Sequence, residues 1–408
     1  MSRRGVLDAI IVGGGAIGAA LALALAQDGF EVALVEARAP KPWRIEDDVD
    51  LRVVALASDA RALLDDLRVW PQIESARVGP CRRMRVWDAS APGELRFDAA
   101  DRGEAALGWI VENALIQHAL WRALADEPRV DVRCPAEVAA VSDGESSIEV
   151  SLADGTRVHA RAVFAADGAA SALRAMLGIE CDGRAYGQRA IVAHVGTSRP
   201  HESTAWQRFL PGGPLAFLPL ADGRSSIVWT LAEADAARVL ALDDAAFLAE
   251  LGCAFDFRLG EIVSTTRRAA FPLQMRSARS YVAGRVALVG DAAHVVHPLA
   301  GQGMNLGFRD VACLARVLRD ARERGSDIGA AYVLRRYERE RRSENKLAAR
   351  AFDTIERVFG SANPAAAAAR GIALSVGGRL APLREIMMAA ASGRIQGGRK
   401  RCQIASRS

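Results

Sequence analysis

The patterned part of the chain opens with residues 8–12, Asp-Ala-Ile-Ile-Val, a short apolar run rich in β-branched side chains. Such a run suits a strand buried on both faces. Gly13-Gly14-Gly15-Ala16-Ile17-Gly18 follows at once, and strong helix formers continue from Ala19 to Gln27. Gly29 stands where a left-handed helix end falls, and residues 31–36, Glu-Val-Ala-Leu-Val-Glu, read as a second strand. Residues 7–26 are also apolar enough and long enough to span a bilayer, with Arg3-Arg4 before them, so a signal peptide or anchor competes with this reading. Asp8 near the start, the four glycines and the second strand after Gly29 favour a strand, a glycine turn and a buried helix.

Two later stretches repeat the arrangement of an apolar strand that ends in a small acidic turn. Residues 160–166 lead to Asp167-Gly168, with a helix predicted over 171–177. Residues 284–290 lead through Gly290 to Asp291, at the carboxyl end of a strand, where open α/β sheets bind ligands. Pro298 bars an early helix there. Gly301, Gln302, Gly303, Met304 and Asn305 then lead into a helix with an apolar face of Val311, Leu314, Ala315 and Leu318.

Between these stretches, residues 191–195, 204–210, 215–218 and 227–230 alternate as a meander. Pro211-Gly212-Gly213-Pro214 and Ala221-Asp222-Gly223-Arg224 break it into strands, which predicts an antiparallel sheet forming one wall of a substrate pocket. Trp206, Phe209, Phe217 and Trp229 are its candidate pocket aromatics, although aromatics on a strand face are more often core. Residues 332–345 and 365–391 look helical, and the glycine-rich basic stretch 393–408 is expected to be disordered.

Composition narrows the function. The chain has 408 residues, half of them apolar and a quarter charged, and a net charge of +4. It shows no dense basic stripe interleaved with aromatics, so no nucleic acid is expected. The six cysteines stand far apart with no ligand spacing, which argues against zinc and disulfides and fits a reducing cytosol. His294 and His297 beside Asp291 lack a third nitrogen or sulfur ligand nearby, so no metal is expected. No GxSxG elbow is present.

The glycine turn carries the strongest chemistry. Gly13 permits the tight turn, Gly15 lets the backbone approach a pyrophosphate, and Gly18 lets helix and strand pack closely. The helix N-terminus offers free N–H groups to phosphates. Glu36 ends the second strand, where its carboxylate can hold a ribose diol and would repel a 2′-phosphate, so the site should take FAD or NAD rather than NADP. Glycines 301 and 303 leave N–H groups open at a helix start that would stabilise the negative charge of a reduced flavin. No second GxGxxG with its own strand and acid follows, so NAD(P)H has no dedicated nucleotide domain.

These stretches together resemble the group A aromatic hydroxylases, the p-hydroxybenzoate hydroxylase-like flavoproteins. More narrowly, the run from Val286 to Gly307 resembles the signature of the ubiquinone-biosynthesis hydroxylases, and the likeness covers nearly the whole chain. The resemblance implies an α/β fold: a Rossmann-like three-layer FAD/NAD(P)-binding domain, an inserted antiparallel-sheet substrate domain and C-terminal helices. The expected FAD-binding pieces are 1–75, 105–180 and 275–330, with the substrate sheet from 76–104 and 181–274, a helical region over 331–392 and a tail beyond. The resemblance further implies that Gly13 to Gly18 and Glu36 bind the ADP part of FAD and that Arg52 lies against the flavin. Asn113 stands where the wider class has an arginine, which puts a salt bridge to the FAD phosphate in doubt. Asp167-Gly168 falls near the pyrophosphate and is tied to NAD(P)H use, and Gly290-Asp291 falls on the ribityl or ribose hydroxyls. In such enzymes NAD(P)H reduces FAD, O2 adds to give a C4a-hydroperoxide, and a phenol-type ring attacks its distal oxygen. The Pro298 carbonyl is the candidate partner of that peroxide. The implied substrate is a polyprenylated phenol or quinol, reached at the membrane surface or through a soluble biosynthetic complex, with the protein itself cytoplasmic. The alternatives are another FAD-dependent chemistry on the same fold, such as a reductase or epoxidase, or a non-catalytic FAD-binding component of an assembly.

Overall fold

The computed structural model describes residues 5–90, 92–296 and 303–360, with side chains described as far as residue 347. Its first sheet has the order Val282–Ala283, Val286–Leu288, Arg157–Ala165, Leu7–Val12, Val32–Val35, Val130–Arg133. All neighbours along this path are parallel except the first pair. Ile148–Leu152 and Val138–Asp143 extend Arg157–Ala165 as an antiparallel branch. The central strands are runs of Ala, Ile, Leu, Val and Phe because both of their faces are covered, and Ile10, Ile11, Ala33, Leu34 and Val163 have no exposed surface.

Residues 7–26 form one of these strands, the turn and most of the helix Ala16–Gln27, whose side chains are buried nearly all round. Such a helix belongs inside a protein as readily as in a bilayer. Alanines at half of its positions let it sit between the sheet and the helices Asn113–Ala125 and Gly303–Glu323. No helix among the described residues is long and apolar enough to cross a membrane.

The second sheet has nine strands in the order His294–Val295, Ala269–Ala278, Cys181–Thr197, Ser225–Ala232, Gly213–Pro219, Thr204–Leu210, Arg83–Asp88, Glu94–Asp98, with Ile262–Thr265 also pairing Cys181–Thr197. The predicted meander lies at its centre, and the strand predicted over 191–195 is the end of a much longer one. Helices Glu233–Ala241 and Asp244–Ala254 bury one face of this sheet, together with Trp87, Trp206, Phe217, Trp229 and Phe255. A three-stranded sheet of Val53–Leu56, Gly108–Glu112 and Val78–Cys81 lies between the two larger ones. The helix Ala331–Gly360 packs along Gly303–Glu323, and Tyr337 Oη donates to the Leu288 carbonyl at 2.8 Å. Residues 365–391 and 393–408 lie outside the described residues.

Candidate active site

Local backbone geometry makes the first turn. Gly13 has φ +104°, and a Cβ there would lie 2.4 Å from the Ala166 carbonyl oxygen. A Cβ on Gly18 would lie 1.8 Å from the Gly13 oxygen, so only glycine lets the helix start this close to the turn. Gly15 is different: it has an ordinary φ of −62°, and a Cβ would meet nothing within 4 Å. Its backbone borders open space at the helix N-terminus, the arrangement a pyrophosphate needs. Glu36 accepts hydrogen bonds from the Gly14 and Arg38 N–H groups, which seats its carboxylate against the turn. Gln117 and Trp121 donate to the Gly14 carbonyl at 3.0 and 2.7 Å and fix the turn from the opposite side.

The second turn sits beside the first because Leu7–Val12 and Arg157–Ala165 are paired in parallel, Val12 opposite Ala165. Asp167 Oδ2 accepts from the Leu173 N–H at 3.1 Å, Oδ1 is buried without a partner, and Gly168 adopts φ +81°. The third turn follows Val286–Leu288 on the other side of the same strand. Gly290 adopts φ +62° and its N–H donates at 3.0 Å to Oδ2 of Asp310. Asp291 presents its carboxylate to the cavity; the surrounding protein pushes its pKa upward, His294 pulls it back, and Asp310 adds to the rise.

A cavity of about 600 Å³ joins these parts. Gly15, Ala16, Ile17, Gly168, Asp291, Gly303 and Met304 line one end, and Arg52 and Asn113 line it where the small sheet approaches. The Arg52 guanidinium lies 5.1 Å from the centroid of Phe271. Gly13, Gly18, Glu36, Asp167 and Gly290 stand behind this lining and shape the turns. Asn305 also stands behind it, fully buried: its Oδ1 accepts from the Ala57 N–H at 2.9 Å and its Nδ2 donates to the Ala55 carbonyl at 2.8 Å. It thereby holds the segment Val53 to Ala57, which does line the cavity. Pro298, Gly301 and Gln302 lie outside the described residues.

Of the aromatic candidates, Trp206 borders the cavity, whereas Phe209, Phe217 and Trp229 are not among its lining residues. Trp206 and Phe217 are cross-strand partners, so their side chains share a face, and that face is the one packed on the helices. Phe217 stacks on Phe255 at 3.7 Å between centroids, and the Trp206 ring packs edge-on against Trp87. Trp229 joins the same core. Phe209 turns toward the cavity side but is enclosed by Val86, Leu95 and Phe97. The cavity face instead carries their alternates: Ala205, Gln207, Ala216, Ser226, Val228 and Thr230. Period-two alternation places Gln207 on the face opposite Trp206, but the alternation does not say which of the two faces meets the cavity.

A buried polar cluster, also missed from sequence, braces the third turn. Asp310 Oδ2 accepts from His294 Nε2 at 2.6 Å, and its Oδ1 accepts from Arg341 Nε at 2.7 Å. Arg341 also donates to Asn345 Oδ1 at 2.8 Å. Burial by itself would raise the Asp310 pKa, yet His294 and Arg341 outweigh it and hold the group at about 2. Among the described residues, no group of three or more His, Cys, Asp or Glu is arranged to hold a metal ion.

A parallel sheet delivering three turns to one cavity, with an antiparallel sheet as its opposite wall, is the architecture of an FAD-dependent monooxygenase. The chain belongs to the FAD-binding domain family, whose model matches residues 6–351, and it is an FAD-dependent monooxygenase. It is 38% identical over 374 residues to 3-demethoxyubiquinol 3-hydroxylase of Escherichia coli (strain K12), covering 92% of this chain and 95% of that protein. It is 37% identical over 393 residues to the ubiquinone hydroxylase UbiL of Rhodospirillum rubrum, covering 96% and 91%. The mitochondrial ubiquinone biosynthesis monooxygenase COQ6 of Homo sapiens is 34% identical, covering 95% and 92%. The p-nitrophenol 4-monooxygenase PnpA from Pseudomonas putida shares the fold, with a TM-score of 0.76 at 19% identity over 95% of this chain and 98% of that one.

Proposed function

We propose that this enzyme hydroxylates the aromatic ring of a polyprenylated phenol or quinol in ubiquinone biosynthesis, using FAD, NAD(P)H and O2. The observation that carries the reading is a single cavity bordered by Gly15 and Asp291 at one end and by an apolar sheet face at the other. The residues fit FAD: open space at Gly15 for the pyrophosphate, Glu36 beside the turn for the adenosine ribose, and Asp291 facing the cavity for hydroxyls of the flavin chain. Bound there, FAD supplies the hydride acceptor and the O2-activating centre.

The chain's own residues bind, orient and exclude water. Gly303 and Met304 begin a helix at the cavity wall, where its N–H groups would meet developing negative charge. Leu218, Met84 and Phe97 make the far wall apolar, which suits a prenyl chain and keeps water from the reaction. A substrate with such a tail resides in membrane, so the enzyme works in the cytoplasm at the membrane face or receives the lipid within a biosynthetic complex.

Loss of the gene tests this directly. Mutant cells should accumulate a prenylated phenol or quinol lacking one ring hydroxyl, and restoring the enzyme should clear it. Normal ubiquinone with no such intermediate would refute the proposal.

A further inference from the structure

The sheet wall of the cavity is patterned in a way that shape alone does not require. Val192, Val228, Ala216 and Gln207 stand in register across four adjacent strands. The row is small and apolar over three strands, a flat platform, and then ends in an amide. In the next row Ser226 stands opposite Leu218, on the strand that carries Val228. Two strand spacings separate Gln207 from the Ser226 strand, about 10 Å across the sheet. Gln207 is 8% exposed and Ser226 is 1% exposed, and both line the cavity. The Ser226 hydroxyl is buried with no hydrogen-bond partner.

Leaving a hydroxyl unpaired inside an apolar wall is costly unless a ligand completes it. From this we infer that Gln207 and Ser226 are specificity-determining residues that hydrogen-bond the ring oxygens of the substrate. The inference rests on the reading of the cavity as a phenol or quinol site. A ring with hydroxyl and alkoxy groups offers both donors and acceptors, and an amide and a hydroxyl answer either kind. The ring then lies on Ala216 and Val228 with its orientation fixed at two points, the end of that row and the row beside it. A ring without oxygens leaves both side chains unpaired and is rejected, the asymmetry that makes polar recognition selective.

Holoenzymes carrying Gln207→Leu and Ser226→Ala provide the test. Neither change touches the glycine turns, so FAD content and the visible spectrum should match the parent. With a prenylated phenol, KM should rise about tenfold in each variant and less product should form per NAD(P)H consumed. An analogue stripped of ring oxygens should bind more tightly to the variants than to the parent, because it no longer strands an amide or a hydroxyl. If the parent itself hydroxylates no prenylated phenol, the reading of the cavity fails. If the parent turns over and the variants keep its KM and coupling, the inference about these two residues fails. An equal loss of affinity for the oxygen-free analogue would also overturn it, since that marks a packing role.

Discussion

His294 Nε2 lies 2.6 Å from Oδ2 of Asp310, and both side chains are sealed from solvent. The same oxygen receives the Gly290 N–H, so one carboxylate fixes both the start and the end of the turn that carries Asp291. Arg341, from the helix Ala331–Gly360, completes the charge balance at 2.7 Å. That helix is therefore tied to the shape of the cavity, although among the described residues it supplies none that line it.

Removing Arg341 should be expensive. Arg341→Met strips the guanidinium from Asp310, and breaking one side of a buried ion pair costs about 3–5 kcal/mol. Denaturant unfolding should show that loss, and a change below about 1 kcal/mol would contradict the balance described.

Acid should expose the same carboxylate. The folded pKa of Asp310, about 2, lies below its ordinary 3.8, so the stabilisation is fully present above 3.8 and is lost as pH falls through the folded value. Unfolding free energy measured from pH 5 downward should fall more steeply in the parent than in Asp310→Asn. Parallel curves would show that Asp310 is not the titrating group.

The two glycines of the first turn should fail in different ways. Gly15→Val adds side-chain atoms where a Cβ has open space, so the apoprotein should keep its stability but bind FAD poorly. Gly18→Ala drives a Cβ into the Gly13 carbonyl, so the apoprotein itself should be destabilised. Thermal melts with and without added FAD separate the cases: a ligand at 1,000 times its Kd adds about 4 kcal/mol, and only the Gly15→Val protein should lose that gain while its apo melt stays put.

Asp291→Ala removes a carboxylate that faces the cavity without opening the core. FAD affinity should fall roughly 10- to 100-fold, the cost of a lost hydrogen bond to a charged group. Equilibrium titration of flavin fluorescence measures it, and unchanged affinity would remove Asp291 from the binding set.

Phe217→Ala tests the reassignment of the aromatics. Stacked on Phe255 within the helix-covered face, it should cost about 3–5 kcal/mol of stability and leave the KM for substrate unchanged. A raised KM at unchanged stability would return Phe217 to the pocket.

Sequence patterning revealed the elements that depend on local physics. Residues 8–12 and 31–36 are apolar runs around a glycine turn, and the strand Thr204–Leu210 was delimited by its own alternation and the Pro-Gly-Gly-Pro break. What stayed hidden depends on partners distant in the chain. Whether Trp206 or Gln207 faces the cavity is decided by which side of the sheet Glu233–Ala241 and Asp244–Ala254 cover, and nothing within Thr204–Leu210 states that. Asn305 looked like a ligand in a helix start but holds the backbone of Ala55 and Ala57, some 250 residues earlier in the chain. Asp310 and Arg341 are unremarkable in sequence, His294 stands out there only as a rejected metal ligand, and only the packing of two helices against its strand brings the three together.

Isotope tracing on the purified holoenzyme tests the central claim most directly. With FAD bound, NAD(P)H, a prenylated phenol and 18O2, the product should carry one new ring hydroxyl labelled with 18O. A protein that takes up no FAD, or a product whose new oxygen comes from water, would contradict the account.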